Sequence, residues 1–205
     1  MNRPWIPAGI RFLLAFLLLD FIQYAAHYLR HSIPLLWRFH QVHHADHDVD
    51  LSTGVRFHPG DILFTQGVYL LTIAALAPPV LAVLCFELCS VAQALFSHAN
   101  VALPPRIEKA VRLLVVTPEF HQIHHSTDAA DQGSNLAVLF SCWDRLCGTC
   151  RRRARTGASE LFYGVAEVSA EQSIRPLTML ALPFMKKGQA SFLTDKRPAP
   201  VSPIL

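Results

Sequence analysis

The stretch Phe39-His40-Gln41-Val42-His43-His44-Ala45-Asp46-His47 carries the pattern HxxHH. Positions i, i+3 and i+4 of a helix share one face, so His40, His43 and His44 point the same way. The pattern returns at His121, His124 and His125, and His27 and His31 stand at i, i+4. With His98, at the end of an apolar run, these make nine of the chain's 11 histidines. Imidazole is the commonest side-chain ligand for Zn, Fe, Cu and Ni. A three-imidazole face that occurs twice, beside a third pair, points to metal rather than to scattered surface histidines.

The rest of the chain supplies the setting. Its 205 residues read as one domain, 1–205, with a core at about 12–165. The composition is 52% hydrophobic and 16% charged, with a mean hydropathy of +0.30. That excludes an ordinary soluble domain and indicates an integral membrane protein. A first apolar stretch, Phe12 to Ala26 and extendable back to Trp5, is long enough to cross, and its helix carries His27 and His31 onward. No small-residue cleavage site follows it, so it reads as a retained segment. Asp20 within it should face protein or the site. Ser32 reads as an N-cap and Pro34 as the first turn of a helix over Ile33 to Ala45. Asp46 to Gly60 reads as a polar connection. Pro78-Pro79 splits the next apolar region into helices at about 62–77 and 80–98. Whether it crosses or re-enters, this hairpin returns the chain to the side it left, and all the histidine clusters then share that side. Glu87 and Gln93 should face inward. Thr117-Pro118-Glu119 starts the helix of the second HxxHH, residues 126–136 read as a loop, and 196–205 as a disordered tail.

The expected fold is all-α: an integral membrane helical bundle with a histidine-rich helical cap. Most Lys and Arg follow the first segment, which places the cap and the C-terminal region in the cytoplasm. Arg145, Arg151, Arg152, Arg153 and Arg155 suit an anionic membrane surface; without a recognition module they give no case for nucleic acid. Five cysteines, an odd number, argue against a disulfide framework, and the C-x4-C-x2-C at Cys142, Cys147 and Cys150 lacks a fourth ligand downstream. His47 lies where its helix should end, and His58 reads as a supporting or structural group.

Eight or nine imidazoles suggest two metal ions with positions left open. The acids near the clusters are few: Asp46, Asp48, Glu119 and Asp128. This differs from carboxylate-rich di-iron bundles. An all-nitrogen dinuclear site at a membrane face suits oxygen chemistry on a lipid. A membrane metal-binding or transport protein would instead place ligands along a path inside the spans. A zinc hydrolase would carry HExxH, which is absent.

These residues resemble the fatty acid hydroxylase superfamily, on its sterol desaturase branch. Asp20-Phe21, Tyr24, His27 and His31 are similar to its first signature. His40-Gln41-Val42-His43-His44 is similar to the second, and Phe96-Ser97-His98-Ala99-Asn100 to a further stretch. Thr117 through Ser126 is similar to the third. Asn135, with Trp143-Asp144-Arg145-Leu146-Cys147-Gly148-Thr149, is similar to the closing motif. The resemblance implies a membrane oxidase holding two iron ions (Fe2+/Fe3+) on His27, His31, His40, His43, His44, His98, His121, His124 and His125. It implies dioxygen as co-substrate and electrons from a separate NAD(P)H-linked redox protein. The implied reaction is hydroxylation or desaturation of a fatty acyl, sterol or isoprenoid lipid, its tail held in an apolar slot between the hairpin and the first helix.

Overall fold

The computed structural model describes residues 5–155 and 161–185, and the expected tail at 196–205 lies outside them. Among the described residues, three helices are long and apolar enough to cross a membrane: α1 (Ala8–Ser32), α3 (Pro59–Leu76) and α4 (Val80–His98). At 1.5 Å per residue they measure about 37, 27 and 28 Å, against a hydrocarbon core of about 30 Å. Their outward positions are apolar, with Leu63, Leu71, Leu81 and Leu88 all exposed. That inversion of the soluble pattern is what lipid contact requires, and the fold is an integral membrane helical bundle. The proline pair turns the hairpin as its chemistry demands. Ala77 adopts a left-handed conformation at the end of α3, and Pro79 precedes the first residue of α4.

The sequence expectation holds for α2 (Pro34–His44), with one change at its start. Ser32 does not cap it: its hydroxyl donates to the Tyr28 carbonyl and closes α1 instead. The polar connection is shorter than its composition suggests. It contains a single 3-10 turn (Thr53–Val55), and α3 already begins at Pro59, capped by the His58 ring, whose Nδ1 accepts from Gly60 N at 2.9 Å. One face of α2 bears the histidines. The other buries Val42 and Ala45 against Val165, Val168, Met179 and Leu182 of the C-terminal segment 165–182.

The remaining helices are short: α5 (Pro105–Val111), α6 (Pro118–His124), α7 (Ala129–Gln132), α8 (Cys142–Cys147), α9 (Ala170–Ser173) and α10 (Pro176–Ala181). α6 starts at Pro118 as its sequence indicates, but the Thr117 hydroxyl donates to Glu108 at 2.5 Å rather than capping the helix. The expected loop at 126–136 contains α7, capped by Asp128.

Residues 136–143 run down the side of α1. The Leu136 carbonyl meets His27; Leu139 N and Phe140 N donate to Asp20; Phe140 reaches Phe16, with ring centroids 6.1 Å apart. From His27 to Phe16 is about 16 Å along the helix. If the bilayer began only beneath this segment, the three helices would retain too little length to cross. The segment and its neighbours therefore lie beside lipid, which accounts for the exposure of Leu113 (61%), Leu114 (70%) and Leu146 (74%). The Arg145 guanidinium satisfies the Leu113 carbonyl there, at 2.6 Å, as irregular backbone near hydrocarbon requires. A fluorophore on Leu114→Cys in nanodiscs is expected to be quenched by chain-labelled lipids and spared by aqueous iodide. Quenching by iodide equal to that of a probe on exposed Ser52 would place this surface in water.

Candidate metal centre

The nine histidines converge. His27 and His31 leave the last turns of α1, His40, His43 and His44 lie on α2, His98 ends α4, and His121, His124 and His125 come from α6 and its C-cap. They sort into two nests. His27, His31, His40, His44 and His124 form one, and His43, His98, His121 and His125 the other; within each, one ring nitrogen per residue lies within 4.8 Å of all the others. The nests adjoin, with the rings of His44 and His125 4.6 Å apart at their centroids. All but His31 are buried.

Backbone and carboxylate acceptors fix five of the nine rings. Nδ1 donates to Leu136 O from His27 (2.8 Å), to Ser134 O from His124 (3.0 Å), to Ala94 O from His98 (2.7 Å) and to Arg56 O from His43 (3.3 Å). His40 Nδ1 donates to Asp61 Oδ2 at 3.0 Å. A neutral ring that donates from Nδ1 presents a bare lone pair at Nε2. In the first nest the Nε2 atoms of His27, His31, His40, His44 and His124 are buried with no hydrogen-bond partner. In the second, His98 Nε2 lies 3.2 Å from His43 Nε2 and 3.1 Å from both His121 Nε2 and His125 Nε2. For His43 and His98, both already donating from Nδ1, this is lone pair against lone pair. It is repulsive alone, but it is the spacing of ligands around a cation. Nitrogens about 2.0–2.1 Å from one ion lie roughly 2.9–3.4 Å apart on a tetrahedral or octahedral shell. The residues present fit two metal ions.

Burial also sets the protonation. It pushes His40, His43, His44, His121 and His125 well below the usual imidazole range, with the Arg30 guanidinium adding to the effect at His40 and neighbouring rings adding to it at the others. His124 falls to about 3, again through burial. These rings are neutral at pH 7, the form that coordinates metal.

The supporting groups are the part that motif spacing does not reveal. Asp61, in the first turn of α3, sits between His40 and the buried Arg30, whose Nη1 lies 3.4 Å from both carboxylate oxygens. Asp144, which sequence order places among surface arginines, is fully buried. It accepts from Leu136 N, Ala137 N and Thr149 Oγ1 at 2.7–3.0 Å, and so holds the carbonyl that orients His27. Between the two orienting carbonyls, Asn135 takes a left-handed φ of 55° and bonds Phe120 O and both the carbonyl and the amide of Arg151. Asp20 binds Trp143 Nε1 at 2.7 Å besides the two backbone amides, so it faces protein as expected.

His47 belongs to neither nest. Its Nε2 donates to Val168 O at 3.0 Å, and its ring lies where a Cβ on Gly164 would fall, at 2.6 Å. His58 caps α3 and reaches Leu180 O. Both are structural groups. The five cysteines are free, and none lies in either nest.

Residues 12–149 match the family model described as fatty acid hydroxylase. The chain belongs to the fatty acid hydroxylase family. Family membership is shared with proteins named for lipid chemistry. The chain is 28% identical to an ornithine lipid hydroxylase, OlsE, of Rhizobium tropici, over 93% of this chain and 55% of that protein. It is 29% identical to the alkylglycerol monooxygenase of Homo sapiens, over 72% of this chain and 32% of that one. It is 30% identical to the alkylglycerol monooxygenase of Xenopus tropicalis, over 72% and 31% respectively. The chain thus spans between about a third and just over half of the length of these relatives. No solved structure matches it. The family's match ends at Thr149, so it includes Asn135 and Asp144 with all nine histidines.

A cavity of about 340 Å³ opens from the nests between α1, α3 and α4. His27, His40, His43, His98 and His121 line its mouth, while Val91, Leu95 and Val138 line its side. Glu87 faces into it, and Gln93 turns inward to donate to Val116 O at 2.5 Å, so both residues face inward as expected.

Proposed function

We propose that this chain, acting as one domain, is a membrane-bound di-iron enzyme that hydroxylates a lipid with dioxygen. The observation that carries the reading is the pair of all-imidazole nests at the mouth of a slot between membrane helices. Two iron ions on the nine histidines would supply the redox chemistry that lets dioxygen oxidise an unactivated C–H bond, which no side chain can do alone. The balance is one C–H bond and one dioxygen, with two electrons and two protons, giving an alcohol and one water. Electrons would come from a separate NAD(P)H-linked redox protein, and the histidine face would lie in the cytoplasm.

The chain's own residues carry the rest. Nδ1 donation to fixed carbonyls and to Asp61 keeps Nε2 of His27, His40, His43, His98 and His124 aimed inward. Burial keeps the rings neutral and water scarce around them. The walls from α1, α3 and α4 admit a lipid from the side and present one of its carbons to the nests. The names of the relatives, hydroxylase and monooxygenase, favour alcohol formation over desaturation.

Protein purified anaerobically in mild detergent is expected to hold about two iron per chain and, with reductant and a suitable lipid, to consume oxygen in step with alcohol formation. Well-folded protein that binds no metal under any loading condition would overturn the reading. Two tightly bound metals without oxygen uptake on a broad lipid panel would move it to a metal-binding membrane protein.

A further inference from the structure

A slot for a plain hydrocarbon tail should be apolar throughout, and this one is not. Gln23, Thr65, Gln66, Glu87 and Ser90 all line it. Each lies on a membrane helix, where hydrocarbon offers an unsatisfied polar group no partner. Helical Thr and Ser commonly settle this by bonding back to the preceding turn, as Thr72 does to Val68 O at 2.8 Å. Thr65 does not: its hydroxyl is buried without a partner. Among the described residues, the side chains of Gln23, Gln66 and Ser90 also make no hydrogen bond. The Tyr69 hydroxyl faces the Glu87 carboxylate, which accepts several hydrogen bonds and keeps capacity for a further donor.

These groups descend in order from the metal centre. Gln23 is one turn below His27, and Thr65 is one turn below Asp61. Ser90 and Glu87 lie about 12 and 16 Å below His98 along α4. The deeper groups come from facing helices and open onto one cavity. A carboxylate there only accepts, while the amides and hydroxyls both donate and accept. The shared complement is a group that donates a hydrogen bond.

We propose that the slot takes a lipid bearing a hydroxyl or an amine about 12–16 Å from the carbon held at the histidines, with Glu87 and Ser90 as the specificity residues. The proposal rests on the lipid-oxidation reading only for the position of the reacting carbon. Binding itself requires no turnover.

The test therefore reads binding. Metal-loaded protein in detergent is titrated with dodecane, 1-dodecanol and dodecylamine, and the shift of its thermal midpoint gives the half-saturating concentration of each. The alcohol and the amine are expected to saturate at a concentration about tenfold lower than the alkane, the worth of one charge-assisted hydrogen bond. Glu87→Leu should bring the three ligands to within about twofold of each other, with Ser90→Ala intermediate. The midpoints without ligand report whether either variant is folded. Equal affinity for alkane and alcohol in the unaltered protein would overturn the proposal and leave the polar residues as a path for water. An alcohol preference untouched by both variants would overturn it equally. A clear preference in a protein that oxidises no lipid would sink the enzymatic reading while leaving the binding site standing.

Discussion

His124→Ala is expected to abolish lipid oxidation, remove about one metal per chain and leave membrane insertion intact. The ring is fully buried, supplies an unpartnered Nε2 to the first nest, and sits within 4.7 Å, centroid to centroid, of the rings of His27, His31 and His44. Loss of a ligand should exceed the roughly 10–100-fold cost of losing a group that merely orients one. The spans do not depend on it, because α1, α3 and α4 are held by the cluster of Leu19, Tyr69, Phe86 and Leu139, far down the bundle. His125→Ala should instead empty the second nest and spare the first. His47→Ala is the control, since its bond goes to Val168 O: metal content should hold at two while thermal stability falls. Elemental analysis of the three variants beside the unaltered protein decides the matter. Two metals retained in His124→Ala would remove that residue from the ligand set.

The histidines that gather in the two nests were legible in the sequence because helical spacing is a one-dimensional signal. HxxHH fixes three rings on a face whatever the rest of the fold does, and the proline pair ensures that His98 returns to the same end as His27. Among the supporting groups, the resemblance marked Asn135 and Asp144 without giving their contacts, and the others were not legible, for a physical reason. Leu136 and Ser134 act through carbonyl oxygens that every residue possesses, so nothing in their side chains marks them. Asp144 stands beside Arg145 in sequence yet turns away from it, because the nearby amides of Leu136 and Ala137 need an acceptor. Ser32 and Thr117 have the right chemistry for caps and spend it elsewhere, on the Tyr28 carbonyl and on Glu108. Local propensity names the candidates, and the tertiary neighbour decides among them. The slot is the same case in reverse. Gln23, Thr65 and Glu87 are far apart in the chain, and only the packing of α1, α3 and α4 puts them on one wall.

Asp61→Ala should be the most damaging change outside the histidines, through two separable effects. Asp61 and Arg30 are both buried, at 2% and 8% side-chain exposure. Removing the carboxylate strands the guanidinium charge away from water, and breaking a buried pair from one side costs about 3–5 kcal/mol. It also frees His40 Nδ1, whose donation to Asp61 holds the ring with Nε2 toward the first nest. That loss should weaken metal binding about 10–100-fold. The double variant Arg30→Met with Asp61→Leu separates the two. It removes both charges and fills their space, so the thermal midpoint of the metal-free protein should recover most of what Asp61→Ala loses. The metal affinity should not recover, because His40 still lacks its acceptor. Recovery of affinity along with stability would mean that Asp61 only balances Arg30 and that His40 is oriented by packing. Recovery of neither would mean that the pair organises the start of α3 itself, where His58 already caps the helix and Asp61 occupies the first turn. Only the expected split, stability regained without metal, assigns Asp61 the positioning of a ligand.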